Sequence, residues 1–136
     1  MPSAITITNW LKRSELPLKI IRQGVWQIQM SHRYCDYTLT ITSNGNWFSF
    51  GADLIGNAVG GRIELFYQKI LELNSRLNGV HIAMDNKRIV LLKDDYNEDL
   101  SEYSLYRTLD IFHESHEYVY SELLKLAKQL NIQIRN

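Results

Sequence analysis

The sequence predicts an α+β fold: an antiparallel sheet, made of a meander plus a hairpin, with helices packed on it in the order α-β(3-4)-α-β-β-α. Three observations carry this. Residues 25–51 alternate apolar and polar side chains between turn signals. Residues 63–77 and 105–130 space their apolar side chains three and four apart. A second short alternating pair lies between those two helical stretches.

At the N-terminus, Ile5, Trp10 and Leu11 ahead of Lys12 and Arg13 suggest a short helix ending before Pro17, because the residue preceding proline disfavours the helical region. Ile5-Thr6-Ile7-Thr8 alternates and fits a strand equally well, so residues 4–14 stay open between the two. Leu18 to Arg22 reads as extended, and Gly24 breaks it. Trp26, Ile28 and Met30 then share one face. Tyr37, Leu39 and Ile41 share another, with Thr38, Thr40 and Thr42 behind them. Asn44-Gly45 predicts a type I′ turn, and the strand Trp47–Gly51 returns with Phe48 and Phe50 on one face.

Ile63, Phe66, Ile70, Leu73 and Leu77 mark a middle helix, with Asn78-Gly79 as its predicted C-cap. Val80, Ile82 and Met84 alternate, Asp85-Asn86 turns, and Arg88 to Leu92 returns. Asp99 and Glu102 have the spacing of a capping box. Leu105, Phe112, Val119 and Leu126 recur every seven residues beyond it, as do Leu109, His116, Leu123 and Leu130. The stripe covers about 26 residues, or about 40 Å of helix.

The element order resembles the YbjN-like family and the type III secretion chaperone fold. The residue detail lies in Leu71–Leu92, where a helix ends in Leu77-Asn78-Gly79 and drops into two short strands around Asp85-Asn86. This is a packing and turn signature without a catalytic residue to transfer. The resemblance implies one YbjN-like, secretion chaperone-like domain over residues 1–136. It also implies a protein-binding role, since secretion chaperones of this fold hold extended segments of client proteins, usually as dimers.

Composition bounds the alternatives. The 136 residues carry 15 basic and 15 acidic side chains, a balance that lacks the basic field nucleic-acid binding needs. No apolar run nears the roughly twenty residues that span a bilayer, and residues 1–9 have no secretory pattern. A cytoplasmic protein without membrane or nucleic-acid partners is expected. The lone cysteine, Cys35, excludes an intrachain disulfide and any multi-cysteine zinc cluster.

Three constellations have possible chemistry. His113, His116 and Glu117 lie within one helical turn, and zinc accepts such ligands. They depart from the zincin spacing, and only His116 falls on the apolar stripe. A solvated helix face with one histidine at the core margin and no metal is therefore expected, and with it no metal-dependent enzyme. Gly51, Gly56, Gly60 and Gly61 read as a glycine-rich loop over 51–62. It lacks the P-loop ending, yet could contact a small ligand through Gly60, Gly61 and Arg62. Asp94, Asp95, Glu98, Asp99 and Glu102 read as a solvated acidic loop before the last helix. Cys35 has no activating neighbour in sequence, since Asp36 raises a thiol pKa.

The expected function is thus a non-enzymatic, cofactor-free protein-binding or chaperone-like regulatory module. A small-ligand sensory domain using loop 51–62 is the alternative, and a metal enzyme at His113/His116 the third reading. The partner is another protein, with a homodimer expected because two striped helices exceed what so small a domain needs. Leu65, Tyr67 and Leu71, off the main stripe of the middle helix, and Trp47 are the interface candidates.

Overall fold

A computed structural model describes residues 2–135. Ala4–Arg13 forms helix α1, so the open choice at the N-terminus resolves to helix. Ser3 caps it by accepting from the Thr6 N–H, and Ile7 and Leu11 are its buried residues. The alternation of residues 5–8 misleads because Ile5 and Ile7 end on different sides: Ile5 is exposed while Ile7 is buried.

Four antiparallel strands follow: β1 (Leu18–Arg22), β2 (Val25–Ser31), β3 (Asp36–Asn44) and β4 (Trp47–Ile55). The β3–β4 loop is Gly45-Asn46, since Asn44 pairs with Trp47. Of the two loop residues only Gly45 has positive φ, at 60°. That places glycine at the first central position, as in a type II′ turn, and corrects the expected Asn44-Gly45 type I′ turn. The short strand β5 (Asn57–Val59) and helix α2 (Ile63–Asn74) come next, then the hairpin β6 (His81–Asp85) and β7 (Arg88–Tyr96). A 3-10 turn (Asn97–Asp99) leads into helix α3 (Glu102–Leu130), and β8 (Gln133–Arg135) ends the described chain.

The main sheet has the order β1-β2-β3-β4-β7-β6, while β5 and β8 form a separate two-stranded sheet. The latter pairing, Asn57 with Arg135 and Val59 with Gln133, was not expected. It also corrects the reading of 51–62 as one loop: Gly51 lies within β4, and β5 occupies Asn57–Val59. Gly60 is small for a packing reason. A Cβ there would sit 2.8 Å from Ile132 Cδ1 and 3.0 Å from the Asn131 carbonyl oxygen.

Four further details differ from expectation. Helix α2 ends at Asn74 with Ser75 as its C-cap, leaving Leu77 and Gly79 beyond it. Asn74 explains the stop: its Oδ1 accepts from the Ile82 N–H at 2.7 Å, and its Nδ2 donates to the Ile82 carbonyl at 2.9 Å. The β6–β7 loop is Asn86-Lys87, both at positive φ, because Asp85 pairs with Arg88. The capping box of α3 uses Ser101 and Ser104 instead of Asp99 and Glu102. Asp94 and Asp95 belong to β7, so the acidic run is partly strand.

One face of the sheet forms the core. Trp26, Ile28, Leu39, Ile41, Phe48, Phe50, Ile89 and Leu91 are buried there. Against them lie Ile7 and Leu11 of α1, Phe66 of α2, and Leu105, Phe112, Val119 and Leu123 of α3. At 29 residues, α3 is about 44 Å long and carries the heptad stripe anticipated from the sequence. The opposite face carries Gln27, Thr38, Thr40, Gly51 and Leu92, which line a shallow groove of about 570 Å³.

Candidate functional site

Two features stand out, a buried polar cluster and an exposed apolar groove. The cluster is built where the β2–β3 hairpin meets α3. Ser31 pairs with Asp36, and the His32 N–H donates to the Cys35 carbonyl at 3.0 Å, closing the turn. His32 and Cys35 thus stand at the two ends of one tight turn. Helix α3 places His116 beneath it without solvent exposure.

Hydrogen bonding assigns the tautomers. The Tyr34 N–H donates to His32 Nδ1 at 3.2 Å, so the His32 proton is on Nε2. That proton is given to His116 Nδ1, 2.8 Å away. His116 must then carry its own proton on Nε2, which donates to the Asp53 carbonyl at 2.8 Å. The β4–β7 register shifts between Asp53 and Ile55, and such a bulge disrupts the ladder locally. Tyr37 stacks on the His116 ring at a centroid distance of 3.7 Å.

Burial sets the electrostatics. Desolvation lowers His116 from its ordinary 6.5 to about 4, with the Asp53 carbonyl opposing and the His32 and His113 charges assisting. Desolvation also lowers His32 and raises the Cys35 thiol, to which Asp36 adds. The Tyr37 phenol is raised chiefly by burial, so it stays protonated and donates to His113 Nδ1 at 2.7 Å.

The expected His113–His116–Glu117 trio does not converge. His113 turns to Tyr37, His116 to His32 and Asp53, and Glu117 to Arg33 at 3.2 Å. His116, expected on the apolar stripe at the core margin, is fully buried. The partner that sequence reasoning missed is His32. Its signal was the His-x-x-Cys spacing across a turn, visible only once β2 and β3 are paired.

The second feature lies at the far edge of the sheet. Tyr67, Ile70 and Leu71 of α2 with Ile82, Ala83, Met84 and Ile89 line an apolar groove of about 110 Å³. Leu71 is 69% exposed and Met84 53% exposed. Of the interface candidates, Tyr67 and Leu71 meet here. Leu65 is half-buried against the core. Trp47 lies apart, stacked on Tyr96 at 4.5 Å. Gly60, Gly61 and Arg62 are exposed together at the start of α2. No helix among the described residues is long and apolar enough to cross a membrane.

This architecture matches known structures. YbjN from E. coli superposes with a TM-score of 0.66 at 11% identity, over 99% of this chain and 97% of that one. The chain has the YbjN/type III secretion chaperone fold. The ExsC–ExsE complex contains a chain matching with a TM-score of 0.66 at 15% identity, over 90% and 97% of the two chains. The heterodimeric ExoU–SpcU complex of the Pseudomonas aeruginosa type III secretion system matches with a TM-score of 0.59 at 20% identity, over 85% and 95%. No protein-family model and no curated protein matches the sequence. With this fold the α+β expectation holds.

Proposed function

We propose that this protein is a non-enzymatic, chaperone-like module that binds other proteins and pairs with a second copy of itself through the α2–β6 groove. The observation that carries the reading is the exposed apolar rim of Leu71 and Met84 around that groove. Large side chains exposed on a shared apolar patch mark contact surfaces more than isolated ones do. Asn74 occupies the Ile82 backbone groups at the outer edge of β6, which blunts strand addition there. Contact is therefore made by side chains filling the groove. The neighbours in complexes, ExsC with ExsE and SpcU with ExoU, support protein binding as the role of this fold.

Sedimentation equilibrium at micromolar concentration tests the pairing. The chain weighs 16.0 kDa, and the wild type is expected at twice that mass. Leu71→Asp should return it to the monomer mass with its fold intact, because an exposed position tolerates charge within about 0.5 kcal/mol. A monomeric wild type rejects the pairing, and a dimer unaffected by Leu71→Asp rejects the groove. The wider reading is tested by affinity capture from native extract. A defined protein retained by the wild type at stoichiometric yield supports it, and none above background counts against it.

A further inference from the structure

The turn at the end of β2 and the middle of α3 bring together three metal-ligating side chains from distant parts of the sequence. The ligand atoms of His32, Cys35 and His116 all lie within 4.8 Å of one another. His32 Nε2 is 2.8 Å from His116 Nδ1 and 3.8 Å from Cys35 Sγ. A tetrahedral zinc with metal–nitrogen bonds of about 2.0–2.1 Å and a metal–sulfur bond of about 2.3 Å sets its ligands about 3.3 Å apart for N···N and about 3.6 Å for N···S. Each of the two measured separations is within about 0.5 Å of that requirement.

We propose that His32, Cys35 and His116 form a three-ligand site for a zinc-class divalent cation.

The surroundings have the features that such a site needs. His116 commits its Nε2–H to the Asp53 carbonyl, which fixes the tautomer and leaves the Nδ1 lone pair facing His32 Nε2. Metal-bound histidines are oriented in this way by an outer-shell acceptor. Burial keeps His116 neutral, the form that ligates. His32 and Cys35 are only half-buried, so an ion has a path in. A cavity of about 300 Å³ lined by Cys35, Tyr37, Asp53 and Tyr120 opens beside Cys35. Mixed imidazole and thiolate donors favour zinc or its neighbours over magnesium and calcium, which prefer oxygen.

The proton balance follows from the tautomers. On binding, the Cys35 S–H bond breaks, sulfur keeps the electron pair and forms the metal–sulfur bond, and the proton passes to solvent. His32 gives up its Nε2 proton and gains one at Nδ1, a change that costs the 3.2 Å bond from the Tyr34 N–H. This bond is at the long end of the hydrogen-bond range. His116 binds through a lone pair already free of protons. One proton is released per ion.

Cobalt(II) titration of the chelator-treated full chain tests this directly. The expected result is a visible d–d spectrum of tetrahedral cobalt with a near-ultraviolet thiolate charge-transfer band. It should saturate at one equivalent and be abolished by zinc. Cys35 is the only cysteine in the chain, so the charge-transfer band assigns the sulfur in the wild type itself. Cys35→Ser should lose that band, and His32→Ala should weaken binding beyond the roughly 10- to 100-fold typical of losing an outer-shell partner. His113→Ala should bind as the wild type does, since His113 faces Tyr37. No cobalt spectrum, a spectrum without the thiolate band, or affinity unchanged in His32→Ala overturns the proposal.

Discussion

Phe112 and His116 stand one helical turn apart on α3, and neither exposes any surface. Phe112 meets Phe50 at a centroid distance of 6.3 Å, within an aromatic row that continues through Phe48 to Trp26. His116 meets a ring as well, Tyr37, but its two nitrogens are spent on His32 and Asp53. The same helix face therefore changes from a core held by apolar burial to one held by directed polar bonds. Equal burial does not mean equal energetics. The Phe112 end is indifferent to pH, whereas the His116 end is stable only while its imidazole stays neutral.

Substitutions along α3 break this comparison most strongly at its apolar end. Phe112→Ala should cost about 3–5 kcal/mol, the range for a buried phenylalanine that leaves a cavity. Phe112→Asp should cost more, because an unpaired charge is buried as well. Urea unfolding monitored by circular dichroism reads both, and a Phe112→Asp protein as stable as wild type would overturn the core assignment.

At the polar end, pH is the sharper probe. His116 has a folded pKa of about 4 against an ordinary 6.5, so between those values the unfolded chain binds a proton that the folded chain does not. Stability is then full above pH 6.5 and falls as pH drops toward about 4, below which this contribution levels off. The loss is up to about 3 kcal/mol, from 1.36 kcal/mol per pKa unit. His32, lowered by its own burial, acts with the same sign. The His113 charge acts with the same sign, the Asp53 carbonyl and carboxylate oppose it, and Tyr37 and Tyr120 stack on the ring. In metal-free protein, urea midpoints across this range should fall for wild type and flatten for His116→Phe. Parallel pH profiles would refute the assignment of the neutral, buried imidazole.

The smallest effect is expected at His113, on the half-buried flank of the same turn. His113→Phe leaves the Tyr37 hydroxyl without its acceptor. It should cost about 1 kcal/mol, near the net worth of one hydrogen bond. A loss as large as that from Phe112→Ala would mean that His113 belongs to the core.

Local pattern made most of the scaffold legible. The alternation of Trp26, Ile28, Leu39, Ile41, Phe48 and Phe50 and the seven-residue recurrence of Leu105, Phe112 and Val119 are properties of short windows. Strand and helix periodicities expose them without knowledge of the partner. The resemblance in element order, with its residue detail in Leu71–Leu92, extended this to the fold of the main sheet and its helices. Turn details were off by one to three residues where neighbours decided. Asn74 ends α2 by bonding Ile82, eight residues on, and strand register moved the hairpin loops to Gly45-Asn46 and Asn86-Lys87.

The sequence by itself determined strands β1–β4, β6 and β7 and helices α2 and α3, their order and their apolar faces, because each follows from spacing within a few residues. Only the tertiary structure decided the β5–β8 pairing, the exposure of Met84 and the company His116 keeps. His32 and His116 are 84 residues apart and share no local pattern. A hydrogen bond between them exists only after the β2–β3 turn has been laid over α3. Histidine is ambiguous on a stripe for the same reason: its spacing shows that it points inward, while the groups waiting there come from elsewhere in the chain.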